Sequence, residues 1–104
     1  MIVEERIYTL RPGATGGFMK LLTSGGADIQ AEHLGKPFGY FTTEFGPLNQ
    51  IVHMWCYRDL EDRAQRRAAL QADPRWDEYR PKLVNFIENQ ENKLLVPAPF
   101  APIG

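Results

Sequence analysis

The sequence predicts an α+β domain whose elements follow the ferredoxin-like order of strand, helix, strand, strand, helix, strand. Three observations indicate this order: β-rich segments near both ends, a β-hairpin pattern in the middle, and helical patterns in the two gaps. Elements in this order form a four-stranded antiparallel sheet with both helices on one face. At 104 residues the chain predicts a single domain, 1–104.

The first half begins with a strand and continues into a helix that glycines interrupt. Residues 2–10 alternate well enough for a strand, and the Arg-Pro-Gly triplet at 11–13 ends it. Residues 14–34 repeat apolar side chains at a spacing closer to the helical period than to the strand period. The adjacent glycines at 25–26 each weaken a helix by about 1 kcal/mol relative to alanine. We therefore expect a broken helix, interrupted near 24–26.

The middle of the chain predicts two strands joined by a turn. Segments 37–45 and 50–57 are rich in β-forming residues, and the Gly-Pro-Leu-Asn run at 46–49 has strong turn chemistry. A four-residue turn would place Phe45 opposite Gln50. A slip of one residue would move the second strand's side chains to the other face, so the face assignment depends on this register.

The second half predicts a helix in two segments and a last strand. Asp59 is the expected N-cap of a helix that runs through residue 72. The Asp-Pro pair at 73–74 restarts the helix to about residue 82, with Trp76 inward, because proline is tolerated at the first helical position. Residues 83–95 form the last strand, and the proline-rich segment 97–104, with Pro97, Pro99 and Pro102, is an extended tail.

Composition bounds the function classes. Lys and Arg number 12 against 13 Asp and Glu, for a net charge of −1, and the chain has no long basic run. This argues against nucleic acid or an anionic membrane as a partner. The single Cys56 excludes an internal disulfide and fits a reducing compartment. The acidic N-terminus differs from a signal peptide, and no apolar stretch approaches a membrane span, so we expect a cytoplasmic protein.

The predicted sheet has bulky side chains on both faces. His53, Trp55 and Tyr57 share one face of the third strand, and Val52, Met54 and Cys56 share the other. Val3 and Ile7 suit the helix side of the first strand. The aromatic residues then expected on the open side are Tyr8, Phe38, Tyr40, Trp55 and Tyr57.

These five aromatic side chains would bury on the order of 1,000 Å² in all. Monomeric proteins seldom expose more than a few hundred Å² of contiguous apolar surface, and the predicted area is about that of a stable interface. The sequence therefore predicts a homodimer that packs sheet against sheet.

Several segments resemble one known family. They are Pro12-Gly13, HLGK at 33–36, GYFTTEFGPLNQIVHMWCY at 39–57, the DLEDR segment from Asp59, DPRW at 73–76 and QEN from Gln90. Together they resemble the NIPSNAP family over nearly the whole chain. The resemblance implies a dimeric α+β barrel, in which two ferredoxin-like sheets enclose a barrel, and a biochemical activity that is poorly defined. The wider superfamily includes cofactor-free monooxygenases, isomerases, cyclases and haem proteins, but none of their catalytic motifs can be placed on these residues.

His53 is the candidate catalytic residue, because a neutral imidazole in a cavity can act as a general base near neutral pH. Tyr40 and Trp55 could stack on a flat ligand, and Arg6 could bind a carboxylate. The predicted ligand pocket lies in the barrel of the homodimer and contains Arg6, Tyr8, Tyr40, Thr42, His53 and Trp55. Each has a structural alternative: a hydrogen-bonded histidine, packed aromatic rings, and an ion pair between Arg6 and Glu4.

Other chemistry has little support in the sequence. Two distant histidines and one cysteine fall short of a metal site, and no cofactor is predicted. Cys56 points away from His53 by strand alternation, and His33 is expected to cap a helix C-terminus. Arg63, Arg66 and Arg67 are expected on a solvated helix face, supported by acids at 59 and 62. Three classes of function stay open: a protein that binds a small organic molecule, a cofactor-independent enzyme of the monooxygenase, isomerase or cyclase type, and a non-catalytic interaction module.

Overall fold

The fold was obtained as a computed structural model, which describes residues 1–101. Four strands form one antiparallel sheet in the spatial order β2-β3-β1-β4, and the helices pack on one face of it. The α+β, ferredoxin-like fold class is therefore confirmed. The elements are β1 (Ile2–Leu10), α1 (Thr15–Leu21), α2 (Ala27–Leu34), β2 (Gly39–Thr42), β3 (Gln50–Tyr57), α3 (Leu60–Ala72), α4 (Trp76–Val84) and β4 (Ile87–Leu95). In the predicted tail, Pro97 and Pro99 lie outside regular structure, and Pro102 lies outside the described residues.

The predicted break in the first helix is confirmed. A π-helical turn, Leu22–Gly26, separates α1 from α2, and inside it Gly25 has φ 144°. A side chain with a Cβ is strained at such a φ, and a Cβ on Gly25 would collide with the Tyr79 hydroxyl. That hydroxyl donates to the carbonyl oxygen of Ser24 at 3.1 Å. This hydrogen bond therefore links the π-helical turn to α4.

The hairpin has the predicted strand β3 and a shorter partner, β2. The backbone N–H of Thr43 donates to the carbonyl oxygen of Gln50 at 3.1 Å, so Thr43 rather than Phe45 lies opposite Gln50. The predicted register was wrong by two residues, because the loop at 44–49 is two residues longer than a four-residue turn. Its Gly46 and Asn49 both have positive φ, 88° and 61°. A shift of two keeps each side chain on its predicted face of the hairpin.

The helices of the second half differ from the prediction at their ends. Asp59 caps α3 as predicted, since its Oδ1 accepts from the backbone N–H of Asp62 at 2.8 Å. The next helix, α4, begins at Trp76 and continues to Val84. Asp73 precedes it and accepts from the backbone N–H of Arg75 at 2.9 Å. The last strand therefore starts at Ile87 rather than at 83, because Leu83 packs into the core from α4.

The predicted assignment of the two sheet faces was wrong. His53, Trp55 and Tyr57 are only 1%, 1% and 2% exposed and face the helices, not the open side. Across the sheet, Arg6 lies opposite His53 and Glu4 opposite Trp55, so β1 also directs its polar residues inward. The physical reason is that Glu4 and Arg6 neutralise each other there, at 3.1 Å between Oε2 and Nη1.

Two other predicted open-face residues are also on the inner side, and the open side has its own apolar residues. Tyr8 and Tyr40 pack against the core under the helices, while Phe38 is 54% exposed. Val52, Met54 and Cys56 alternate with the buried residues of β3 and are half-buried on the open side. Phe41, opposite Val52, is 55% exposed.

The core lies between the inner face of the sheet and the helices. The largest buried apolar side chains there are Leu10, Phe18, Leu22, Ile29, Leu34, Ile51, Trp55, Tyr57, Leu70, Trp76 and Leu83. Over residues 1–101, every helix is too short or too polar to cross a membrane.

Candidate ligand-binding site

A cavity of about 230 Å³ lies inside the chain, between the inner face of the sheet and the helices. Its apolar wall consists of Phe18, Trp76, Leu83 and Ile87, with Val84 at the exposed mouth. Three arginines and three glutamines complete the lining: Arg6, Arg67, Arg80, Gln30, Gln71 and Gln90. Tyr8 adds a phenol. An apolar wall with a few convergent polar groups is the usual make-up of a small-molecule site.

Regular elements hold these side chains in place. Arg6 and Tyr8 are two residues apart on β1 and therefore share its inner face. On α3 and α4 the lining residues are four apart and lie on one face of each helix: Arg67 with Gln71, and Trp76 with Arg80. A site built on strands and helices is held more rigidly than one built on loops.

The cavity wall is positively charged. Arg6, whose side chain is 8% exposed, shares the Oε2 of Glu4 with Arg63, at 3.1 and 2.7 Å respectively. Burial by itself raises the pKa of Glu4, but the hydrogen bond from Arg63 and the positive charges around it outweigh burial, and the net pKa lies below 4.5. Glu4 is therefore a carboxylate shared by two guanidinium groups.

The other two arginines of the wall have no acidic partner within the part of the chain that the structure describes. Arg67 is half-buried and Arg80 is exposed at the mouth, and neither forms an ion pair with residues 1–101. The lining contains no Asp or Glu among these residues. The wall therefore attracts negative charge.

Trp76 brings a buried donor to this wall. Its Nε1 is buried, and no acceptor in residues 1–101 lies within hydrogen-bond distance. The side chain is only 5% exposed. An unpaired buried donor costs about 1–3 kcal/mol.

The predicted pocket residues divide into two groups. Arg6 and Tyr8 line the cavity, and the Nε of Arg6 donates to the Tyr8 hydroxyl at 3.0 Å. Tyr40, His53 and Trp55 lie on the same inner face but pack into an aromatic cluster outside the cavity lining. Tyr40 stacks on His53 with ring centroids 4.7 Å apart, and Tyr8 meets the same imidazole edge-on at 4.8 Å.

The sixth predicted residue, Thr42, is exposed at the end of β2, outside the cavity lining. The structure therefore brings together five of the six predicted residues on one face. Two of these five reach the cavity.

His53 is held neutral. Burial, together with the charges of Arg6 and Arg67, lowers its pKa to about 3. The indole Nε1–H of Trp55 donates to Nδ1 of His53 at 2.8 Å, which assigns the ring proton to Nε2. The basic lone pair is thus already engaged, and the imidazole presents an N–H rather than a base.

Tyr40 is also kept in its neutral form. Burial raises the pKa of its phenol, and the nearby Tyr8 adds to this effect. The Tyr40 hydroxyl donates to the side-chain oxygen of Gln30 at 3.4 Å, and Gln30 lines the cavity. The aromatic cluster therefore touches the cavity through Tyr8 and Gln30.

Most of the polar cavity wall was not predicted from the sequence. Arg63, Arg66 and Arg67 were expected on a solvated helix face, but Arg63 binds the buried Glu4 and Arg67 lines the cavity. The predicted ion pair between Asp62 and Arg66 is present, with 2.9 Å between Oδ1 and Nε. Glu4 and Arg6 on β1 could have indicated this wall, because charged residues that are buried under helices need partners of opposite charge.

Two other candidate groups lie elsewhere. The side chains of Glu32, His33 and Asp73 approach one another within 4.8 Å, but the guanidinium of Arg75 pairs with both carboxylates. His33 contacts Asp73 at 2.8 Å rather than only capping its helix, so this group is an ion-pair network. Cys56 lies on the open face, away from His53 as predicted, and burial raises the pKa of its thiol.

Comparison with known proteins gives one consistent family. The NIPSNAP family model matches residues 3–102. The NipSnap homolog of Dictyostelium discoideum is 36% identical over 94 residues, covering 90% of this chain and 41% of that protein. The NipSnap protein of Drosophila melanogaster is 31% identical over 105 residues, covering 97% of this chain and 36% of its own length. The chain therefore spans less than half the length of these curated relatives.

Solved structures of similar length agree with this result. A NIPSNAP family protein of Agrobacterium tumefaciens is 48% identical with a TM-score of 0.95, covering 99% of this chain and 98% of that one. A NIPSNAP-like domain protein of Burkholderia xenovorans is 50% identical with a TM-score of 0.92, covering 98% and 89%. An antibiotic biosynthesis monooxygenase is 17% identical with a TM-score of 0.67, covering 95% and 100%, a likeness that concerns the fold alone.

Proposed function

The chain belongs to the NIPSNAP family, and from this premise we propose that it binds a small organic molecule in the cavity between its sheet and its helices. The observation that carries the proposal is the cavity itself, whose wall combines apolar side chains with Arg67 and Arg80, two arginines that have no acidic partner among residues 1–101. Arg6 and Tyr8 add donors on the opposite wall, while Phe18 and Leu83 supply apolar contact.

The size of the cavity limits the ligand. A volume of about 230 Å³ equals that of roughly eight water molecules in the liquid. A close-packed organic ligand of roughly ten non-hydrogen atoms would fill it, because protein interiors are packed more densely than water. Larger cofactors would need the helices to move apart.

The two tryptophans provide a direct test. Trp76 lines the cavity, and Trp55 lies in the core outside the lining. In a Trp55→Phe variant, the fluorescence of Trp76 reports the cavity alone. We expect a saturable fluorescence change with at least one compound from a library of small anionic, neutral and cationic molecules.

A matched pair of glutamine variants provides the control. Gln71 lies at the mouth of the cavity, whereas Gln65 is exposed on the same helix and outside the lining. Gln71→Phe should block entry and weaken binding by about tenfold or more, and Gln65→Phe should not. Equal affinity in the two variants, or no binding by any compound class, would contradict the proposal.

We also propose that the protein is a homodimer that pairs through the open face of the sheet. The helices cover the other face, and Val52, Met54 and Phe41 leave apolar surface on the open one. A two-fold pair of sheets would bury this surface. The residues differ from those predicted from the sequence, but the reasoning on exposed area is the same.

The dimer is tested by light scattering on two variants that place a glutamate on an apolar site. Val52→Glu puts a charge on the open face, whereas Leu60→Glu puts one at an exposed position at the start of α3. We expect the wild type and Leu60→Glu to be dimers and Val52→Glu to be a monomer. A monomeric wild type at micromolar concentration would refute the dimer.

A second candidate function is a cofactor-independent enzyme of the monooxygenase, isomerase or cyclase type. The observation that favours it is the contact of the His53 ring with Tyr8, which lines the cavity. His53→Gln separates the two functions, once a ligand is identified. An enzyme that uses His53 would lose turnover and keep ligand affinity, whereas a binding protein would show no turnover in the wild type either.

A further inference from the structure

We propose that the ligand of this cavity is an organic anion, a compact apolar body that carries a carboxylate or phosphate group held by Arg6, Arg67 and Arg80. This inference rests on the proposed function and names the chemical class of its ligand. It depends on the charges, the hydrogen-bond donors and the shape of the wall.

The charges around the cavity do not balance among residues 1–101. Arg6, Arg67 and Arg80 line it, and Arg63 stands just behind Arg6 on the same carboxylate. Glu4 supplies one negative charge for these four positive charges. Burial is the main cause of the lowered pKa of the nearby His53, and the charges of Arg6 and Arg67 add to it. Like charges around one cavity repel, and an anion bound between them reduces the repulsion.

The hydrogen-bonding groups of the wall are mainly donors. The guanidinium groups of Arg6, Arg67 and Arg80 are donors only. The Tyr8 hydroxyl already accepts from Arg6, so its own proton is available to a ligand. A carboxylate or phosphate offers acceptors only and therefore matches such a wall.

The polar and apolar groups of the cavity set the orientation of the ligand. Phe18 and Leu83 are buried, whereas Arg80 is exposed at the mouth and Arg67 is half-buried. An apolar body would lie against Phe18 and Leu83, with its anionic group between the arginines. With roughly ten non-hydrogen atoms in all, an aromatic or branched short acid fits this volume.

The test uses pairs of compounds that differ in charge but hardly in shape. A panel of carboxylic acids of roughly eight to twelve non-hydrogen atoms is titrated beside the corresponding primary amides, with phenyl phosphate and inorganic phosphate as further probes. Fluorescence of Trp76 in the Trp55→Phe protein and calorimetry on the wild type measure binding at constant ionic strength. We expect the best acid to bind at least about tenfold more tightly than its amide.

Arginine variants identify the groups responsible. Arg67→Gln and Arg80→Gln should each weaken acid binding by about tenfold or more and leave amide binding nearly unchanged. Arg11→Gln is the matched control, because Arg11 is exposed and lies outside the cavity lining while the change in net charge is the same. Arg80 is exposed, so its variant tests the inference even if Arg67→Gln fails to fold.

The outcomes separate this inference from the proposed function. Amides that bind as tightly as acids would overturn the anionic ligand while leaving small-molecule binding intact. Anion binding that Arg11→Gln weakens as much as Arg67→Gln and Arg80→Gln would also overturn it, because the attraction would then come from the whole surface. Failure of every anionic, neutral and cationic compound would refute the proposed function itself.

Discussion

Glu4→Gln tests whether one buried carboxylate holds the positive wall together. Glu4 is 3% exposed and its Oε2 binds Arg6 and Arg63 at 3.1 and 2.7 Å. The amide keeps the shape of the side chain but removes the only negative charge among these contacts. Arg6 would then be a buried cation without a counter-charge, which costs about 3–5 kcal/mol. Arg63 is 30% exposed, so its lost pair adds at most about 1 kcal/mol.

The free energy of unfolding is measured by urea denaturation, followed by far-ultraviolet circular dichroism. Glu88→Gln is the control, because Glu88 is exposed on β4. We expect a loss of about 3–5 kcal/mol in Glu4→Gln, out of a total of about 5–15 kcal/mol, and less than about 0.5 kcal/mol in Glu88→Gln. Adding Arg6→Met to Glu4→Gln should recover part of the loss. Similar losses of unfolding free energy in Glu4→Gln and Glu88→Gln would refute the claim that the buried carboxylate of Glu4 stabilises the arginines.

Three further predictions concern pH and the helix break. The pKa of His53 falls from 6.5 to about 3 on folding, so the unfolded chain takes up a proton first as the pH is lowered. The free energy of unfolding should therefore fall by about 3–5 kcal/mol between those pH values. His53→Gln should remove this loss in acid titrations of unfolding. Folding also lowers the pKa of Glu4, so its stabilising contribution is present above pH 4.5 and is lost as the pH falls further. Glu4→Gln should reduce the pH dependence of the free energy of unfolding only in that lower range. Gly25→Ala should destabilise the protein by about 1–3 kcal/mol because of its φ of 144°, whereas Gly16→Ala in α1, where a Cβ has open space, should cost nothing in thermal melts.

The order of the elements could be predicted because its signals are local. The strand at 2–10, the glycine break and the Asp59 cap each depend on a few adjacent residues, and all three are confirmed. The hairpin register was wrong by two because two positive φ values, at Gly46 and Asn49, lengthen the loop. Such loop geometry is one of several that the same residues allow.

The sheet faces could not be predicted, because the deciding contacts are distant in sequence. Alternation on β1 favoured Val3 inside by hydropathy, yet Glu4 is inside because it meets Arg63, which lies 59 residues away. The same limit hid Arg67 and Arg80, since a single sequence does not show which helical arginines point towards a buried strand. Arg6 and Tyr8 were predicted to lie together because residues two apart in a strand share a face, although they were expected on the open side.

The most direct test of the central claim is a crystal structure of the protein with the most tightly bound acid of the panel. We expect electron density for the acid within a single chain, between the sheet and the helices. The anionic group should lie within hydrogen-bond distance of Arg67 or Arg80. Density between the open faces of two copies, or an anionic group directed away from all three arginines, would contradict it.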